Sequence, residues 1–553
     1  MPISTNSPIT QLHVDLRHTS VADLREFAEH AQQRGGGTIH ARPTGHSTYT
    51  LYVENSRSRG SLARWADPER RQQRELASMV VSAVLLNSRG AKGERIAKPP
   101  TVTSTQELVG VLREHQARDV DLPSYQPAGV FAGAAAANAG GATGSKRVKV
   151  DGENFQVKSS VQSASLLRRL KAGGLNTENY GEIIGTNVAR AVVGRANADL
   201  VPEVSLVHSV VDHQAGLSSK YLRNGKGDLD AYYKSQAGKL PKGQKHVRID
   251  LSGTRAGEPG VLSLTGQAAK DMARNLAVSA LVGDHDVNPG NMIAVKNGDD
   301  GELRIGRIDF GHAFNDLITG IGGRALGGGG VHDRTGNRVL DFFNRETVSG
   351  NPLVSGQQTA KLWRDYTGVV PSRHLAEALR EMAANNDFRL GLQQARGQIG
   401  ELVDKLEAEG TPQARKELDE IAASLNKLSA NIGKPMSPRS ARETVGQLFR
   451  NLDAFFEEGR AQMAHVAGLC SLQADIDDYL GMADKDTPEA RQAHARLQKS
   501  YDALVQSRGT GRALTWMKFD KDTPAFEGDL AGYLAHRQRR LPQAARATMH
   551  ALA

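Results

Sequence analysis

Apolar positions recur at helical spacing in the first patterned stretch, residues 20–33. Val21, Leu24 and Phe27 fall on one face behind Ser20, a residue type that caps helices. Alternation then takes over, and Thr38–Arg42 and Tyr49–Val53 read as two strands around Pro43-Thr-Gly-His46. Asp67-Pro68 opens a helix running to Leu86, with proline at its first helical position. From 88 to 143 the pattern loosens through Lys98-Pro-Pro100, Pro123 and Pro127 into an Ala/Gly-rich run, so a boundary is expected near residue 120. Two strands around Asp151-Gly152 follow, then a helix over Thr177–Val193 with Ile184, Val188 and Val192 on one stripe. Val201–His208 and Gly216–Leu222 read as strands. Thr265–Leu281 is a patterned helix, and Asn291–Lys296 with Leu303–Ile308 form a hairpin around Asn297–Gly301. After Trp363 the pattern is helical almost throughout. Stripes run over Leu375–Met382 and Leu392–Leu406, with further helices near 418–428, 443–456 and 490–505.

These elements predict an α+β fold in three parts. Residues 1–120 form an N-terminal α/β module, 121–370 a bilobal core, and 371–553 a helical C-terminal region, its later part a separate bundle. No apolar run approaches the ~20 residues of a bilayer span; the longest is Met79–Leu86. The start, MPISTNSPIT, is Ser/Thr/Pro-rich and lacks the hydrophobic segment of a cleaved signal. Such starts are common in cytosolic proteins and in bacterial effectors injected into host cells. One cysteine, Cys470, excludes an internal disulfide and any multi-cysteine metal site. A net charge of +9 suits an acidic partner without choosing among nucleotide, anionic lipid and nucleic acid.

The chemistry concentrates in Gly283–Phe314. Asp286 is followed five positions later by Asn291, then by a hairpin and Asp309-Phe310-Gly311. Phosphoryl transfer needs a carboxylate to orient the attacking hydroxyl and oxygen ligands to hold Mg²⁺ against nucleotide phosphates. Asp286 suits the first role, Asn291 and Asp309 the second. Asp, Asn and Gly also gather in loops for turn chemistry alone, as Asn288-Pro-Gly290 does; both halves of the motif, in order around a hairpin, favour the catalytic reading. Upstream, Gly140, Gly141, Thr143, Gly144 and Ser145 form a glycine-rich turn whose backbone N–H groups suit phosphate oxygens. Lys158, ending the second strand, is the candidate phosphate-binding lysine, and Glu182 its helix-borne partner, with Glu178 the alternative. Residues 318–350, rich in glycine and carrying Arg324, His332, Arg334, Arg338 and Arg345, are expected to form a mobile basic loop.

Gly140–Ser145 resembles the Gly/Ser loop of type II phosphatidylinositol 4-kinases. Gly283–Asn291 resembles the lipid-kinase loop Gly-Asp-Arg-His-Asn-x-Asn, and Ile308-Asp-Phe-Gly-His312 matches Ile-Asp-Phe-Gly-His. Over roughly residues 138–320 the chain is thus similar to the phosphatidylinositol 3-/4-kinase superfamily, whose cores also occur in effectors of pathogenic bacteria. The resemblance implies a bilobal kinase fold, ATP, Mg²⁺ and a phosphoinositide at an anionic membrane surface, with His285 or His312 nearest the lipid-kinase histidine. With the start of the chain, it implies secretion without a cleaved signal into host cytoplasm, a chaperone at the N-terminus, and no nucleic-acid partner. Asp284–Asn291 also resembles the protein-kinase His-Arg-Asp-x-Lys-Pro-x-Asn, with Asn288 in place of the lysine. A protein kinase acting on host proteins is therefore the alternative, and a non-catalytic kinase-fold module a third reading.

Overall fold

In the computed structural model, the described residues lie between 10 and 535. The longer stretches outside them are 55–66, 91–100, 139–144, 161–174, 315–336, 344–365 and 508–529, and His285 is also outside. The N-terminal module starts with strand β1 (Gln11–Asp15), helix α1 (Val21–Gln33) and strands β2 (Thr38–Gly45) and β3 (Thr48–Glu54). Helices α2 (Pro68–Leu86) and α3 (Thr105–Glu114) complete it, with a short pair, β4 (Ser88–Gly90) and β5 (Ala117–Asp119), between and after them. α1 begins where the sequence places it: Ser20 and Asp23 exchange hydrogen bonds in a capping box. Leu24, Phe27, Ile39, Leu51, Val84 and Leu108 share a core that takes in Val210 from the next part of the chain.

The second sheet is the upper lobe. It comprises β6 (Gln126–Pro127), β7 (Ala136–Asn138), β8 (Lys146–Val150), β9 (Glu153–Lys158), β10 (Val204–Ser209) and β11 (Gln214–Lys220), in the order β6-β10-β11-β9-β8-β7. Helix α4 (Thr177–Val192) crosses behind it. The chain then leaves the sheet through β12 (Gly225–Asp228) and α5 (Leu229–Ala237). The lower lobe follows with β13 (Arg248–Asp250), β14 (Val261–Ser263), helix α6 (Gly266–Val282) and the hairpin β15 (Met292–Val295) and β16 (Arg304–Arg307). This is an α+β, bilobal, kinase-like core.

Beyond it come α7 (Arg338–Phe343), β17 (Tyr366–Thr367), α8 (Ser372–Ala384), α9 (Phe388–Glu409) and α10 (Pro412–Asn431), then α11 (Ala441–Gly481) and α12 (Pro488–Ser507). These helices do form a bundle, but not a separate one. Leu402, Leu425, Phe456 and Cys470 belong to the same hydrophobic core as Tyr180, Ile184, Leu276 and Phe310. Polar contacts join the parts too: the Gln398 side chain accepts from the Leu206 amide at 2.7 Å. Lys405, on α9, reaches Asp23 of α1 at 3.5 Å and lies 5.6 Å from the centre of the Tyr125 ring. Among the described residues no helix is long and apolar enough to cross a membrane.

Candidate active site

β9 ends on Lys158, between β11 and β8, and α4 presents Glu182 to it from behind. The Lys158 Nζ donates to Glu182 Oε2 at 2.7 Å and to Asp309 Oδ1 at 2.9 Å. The Lys158 and Glu182 side chains are 6% and 5% exposed, whereas Asp309 remains 36% exposed toward the cleft. Burial works against the Lys158 ammonium, but the two carboxylates outweigh it and hold it above its ordinary value. Burial lifts Glu182 to about 7, opposed by Lys158. Burial pushes Asp309 the same way, yet Lys158 prevails and holds it below the usual carboxylate range. With both carboxylates ionised, one ammonium between them leaves this three-residue cluster with a net negative charge.

The catalytic-loop candidates hang from the end of α6, where Gly283 adopts the left-handed conformation of a helix terminator. Asp286 is gripped by amides: its Oδ1 accepts from Asn288 at 2.6 Å and its Oδ2 from Asn291 at 3.0 Å. Asn291 Nδ2 also donates to the Asp286 carbonyl, at 2.9 Å. Asn288 Oδ1 accepts from the Gly290 amide at 2.8 Å, so this side chain braces the turn. The β15–β16 hairpin, with Met292 opposite Arg307, then delivers Asp309 to the same cleft. Asp309 has φ 56°, the left-handed region a non-glycine residue enters only at some cost. Gly311 leaves both carboxylates room, since a Cβ there would lie 3.1 Å from Asp309 Oδ1 and 3.4 Å from Glu182 Oε2.

Behind both loops lies a charged pair that sequence reasoning did not single out. Asp284 and Arg307 side chains are both fully buried and 3.1 Å apart. Asp284 Oδ1 accepts the Asp286 amide at 2.8 Å, and Arg307 Nη1 donates to the Ile308 carbonyl at 2.9 Å. The pair thus ties the residue two before Asp286 to the residue two before Asp309. Burial lifts Asp284 to about 6, against the pull of Arg307. Its only sequence signal is an arginine at an inward strand position directly before an apolar residue and a functional aspartate.

The cleft between the lobes has a volume of about 650 Å³, and its lining includes Lys158, Glu182, Tyr221, Asn291, Ile293 and Asp309. Lys158, Glu182, Asn291 and Asp309 therefore converge as the sequence implied, with Asp286 hydrogen-bonded to one of them. Glu178 is not the partner of Lys158. Gly140, Gly141, Thr143, Gly144 and His285 lie outside the described residues. Ser145 is buried beside the start of β8 and accepts from Gln156 Nε2 at 2.9 Å; its side chain is not among those lining the cleft. Arg338 is corrected. Far from occupying a mobile basic loop, it is half-buried at the start of α7 and its guanidinium donates to the carbonyls of Ala280, Leu281 and Phe455. The unpaired carbonyls at the end of α6 attract it, and it stacks 3.7 Å from the centre of the Phe455 ring. Arg324, His332, Arg334 and Arg345 lie outside the described residues.

The LepB N-terminal domain family matches residues 265–320, which run from α6 through Asp286 and Asn291 past Asp309-Phe-Gly. No curated protein matches the chain. Among solved structures, the chain is similar to the crystal structure of a Helicobacter pylori proinflammatory kinase, CtkA. That likeness has 12% identity and a TM-score of 0.27, and it covers 62% of this chain and 96% of that one. At that score the pair adds nothing to the geometry.

Proposed function

We propose that this protein is an ATP-dependent phosphotransferase of the kinase type, and that its acceptor is the headgroup of a phosphoinositide. The observation that carries the first part is Lys158, held at once by Glu182 at 2.7 Å and Asp309 at 2.9 Å. A kinase requires its phosphate-binding lysine paired with the helix glutamate, and its metal-binding aspartate in place at the same cleft, before it is competent.

The residues also suit a magnesium ion. No hydrogen bond among the described residues occupies Asp309 Oδ2 or Asn291 Oδ1, since Asp309 uses Oδ1 and Asn291 its amide nitrogen. Mg²⁺ keeps several waters and takes only one or two protein oxygens, so these two suffice alongside nucleotide phosphates. Bound there, it would supply charge neutralisation on the phosphates being parted. Asp286, fixed by two amides, accepts the proton of the attacking hydroxyl as the γ-phosphoryl moves to that oxygen and ADP departs. Lys158 holds phosphate oxygens with its third N–H.

The lipid acceptor rests on Ile308-Asp-Phe-Gly-His312 and on Asn288. A protein kinase carries a lysine there to neutralise the γ-phosphate, and here a neutral amide is committed to Asp286 and Gly290. The test supplies radiolabelled ATP and Mg²⁺ with phosphoinositide vesicles or with a panel of proteins. Label in lipid, lost in Asp286→Asn, is the expected result. Label in protein alone would replace the lipid acceptor, and no transfer with either would overturn the kinase reading.

A further inference from the structure

Between residues 220 and 248 the chain carries eight lysines and arginines against two aspartates, while the whole protein has a net charge of only +9. This segment comprises β12, α5 and the turns leading to β13. It is folded into a closed hook: Asp230 accepts the Val247 amide at 2.6 Å and contacts His246 Nδ1 at 2.7 Å. Leu229, Tyr233 and Val247 turn into the core. Both aspartates are spent on the fold, Asp228 capping α5 by accepting the Ala231 amide at 2.7 Å. The cations have the opposite fate. Arg223, Lys234, Lys239, Lys242, Lys245 and Arg248 are exposed, and none forms an ion pair among the described residues. Within this segment, the exposed charge that forms no ion pair is therefore of one sign.

Its position links it to the site. Leu222, Gly225, Asp228 and Ala231 line the cleft, and α5 packs against the Pro289–Asn291 turn that carries Asn291. We propose that this hook is an electrostatic docking surface for an anionic lipid bilayer, which it brings to the mouth of the cleft. The inference deepens the lipid-kinase reading, since it supplies the partner surface on which that acceptor is presented.

The side-chain types favour a bilayer over a nucleic acid or a phosphopeptide. Four of the six cations are lysines, which act as point charges, whereas recognition of single phosphates favours the planar fork of arginine. Surfaces that bind single-stranded nucleic acid add exposed aromatic rings on which bases stack. Here Tyr233 is buried, Tyr232 is packed against the core, and the exposed Tyr221 ring is already covered by the Arg147 guanidinium, 5.0 Å from its centre. A dense cluster of lysines needs only a continuous negative surface, and its attraction fades within a Debye length of about 10 Å at 0.1 M salt.

The experiment sediments the full chain with phosphatidylcholine vesicles, with or without about 30% phosphatidylserine. The wild type and a variant carrying Lys239→Ala, Lys242→Ala and Lys245→Ala are compared. Wild type is expected to bind the anionic vesicles only and to release them at 0.5 M salt, and the variant to bind about a hundredfold more weakly. Equal binding by the variant, or no preference for anionic vesicles in wild type, overturns the proposal. So does duplex RNA that binds more tightly than the vesicles and displaces them. ATP hydrolysis without vesicles, measured on both proteins, keeps the two readings apart. Hook-dependent sedimentation without any ATP turnover would retain the docking surface and remove the kinase. Turnover with hook-independent sedimentation would do the reverse.

Discussion

Lys158 and Lys239 are the same side chain put to two uses. Lys158 is 5% exposed, with a carboxylate on each side at hydrogen-bonding distance. Lys239 stands in solvent with no ion pair among the described residues. Around the first, every neighbouring charge is fixed in direction: Glu182 and Asp309 directly, and Asp284 with Arg307 behind them. Around the second, the carboxylates that could have paired with it cap helices and close turns instead. Buried charge here sets geometry, because each member would be costly to leave alone. Exposed charge sets a field, in which no single member matters much and the sum does.

That contrast can be broken by substitution, and the largest effect belongs to the cleft. Lys158→Met and Asp309→Ala should each lower phosphoryl transfer at least about a thousandfold. Near-wild-type turnover in either, with circular dichroism unchanged, would remove the residue from the site. Next in size is Asp284→Ala, which leaves Arg307 charged and buried without its partner. Urea denaturation should show a loss of about 3–5 kcal/mol. Lys239→Ala should stay within about 0.5 kcal/mol of wild type in the same measurement.

A pH series sharpens the point. Burial lifts Asp284 to about 6, so its contribution to stability is fully present below the ordinary carboxylate value and lost as pH rises through about 6. Over pH 4 to 6 this group should remove about 3 kcal/mol from wild type. Asp284→Asn, which cannot titrate, should lack that component of the slope; identical slopes in the two proteins would count against the assignment. An effect between those of Asp284→Ala and Lys239→Ala is expected at Asp230→Ala. It unties the hook from Val247 and should cost about 1–3 kcal/mol, visible as faster hydrogen exchange over residues 238–247.

Much of this was legible in the sequence, for local reasons. The Asp286–Asn291 spacing and the hairpin before Asp309 are short-range, and turn chemistry fixes them. Lys158 and Glu182 could be matched because one ends a strand and the other sits beside an apolar helical stripe. What could not be read depended on distant partners. Ser145 looked like loop because glycines precede it, yet Gln156 across the β8–β9 hairpin holds it inward. Arg338 looked like loop for the same reason, although α6 and α11 close over it. α11 itself was expected only over 443–456, because Glu457-Glu-Gly459-Arg interrupts its stripe. The glycine in that interruption faces Arg338, whose guanidinium would have to shift to make room for a Cβ on Gly459.

The placement of α11 also governs when the cleft can exist during synthesis. Phe314, just after the candidate metal loop, packs edge-on against Phe455 and Phe456 at 6.0 Å each. The Phe455 carbonyl is also one of the three that hold Arg338. Those partners are translated about 140 residues after Phe314, which at 5–20 residues per second is a delay of roughly 7 to 30 s. Through that interval Phe314, beside the candidate metal loop, lacks the two rings it packs against. A nascent chain has therefore made every residue of the candidate cleft's lining before the helix that packs behind Phe314 is translated.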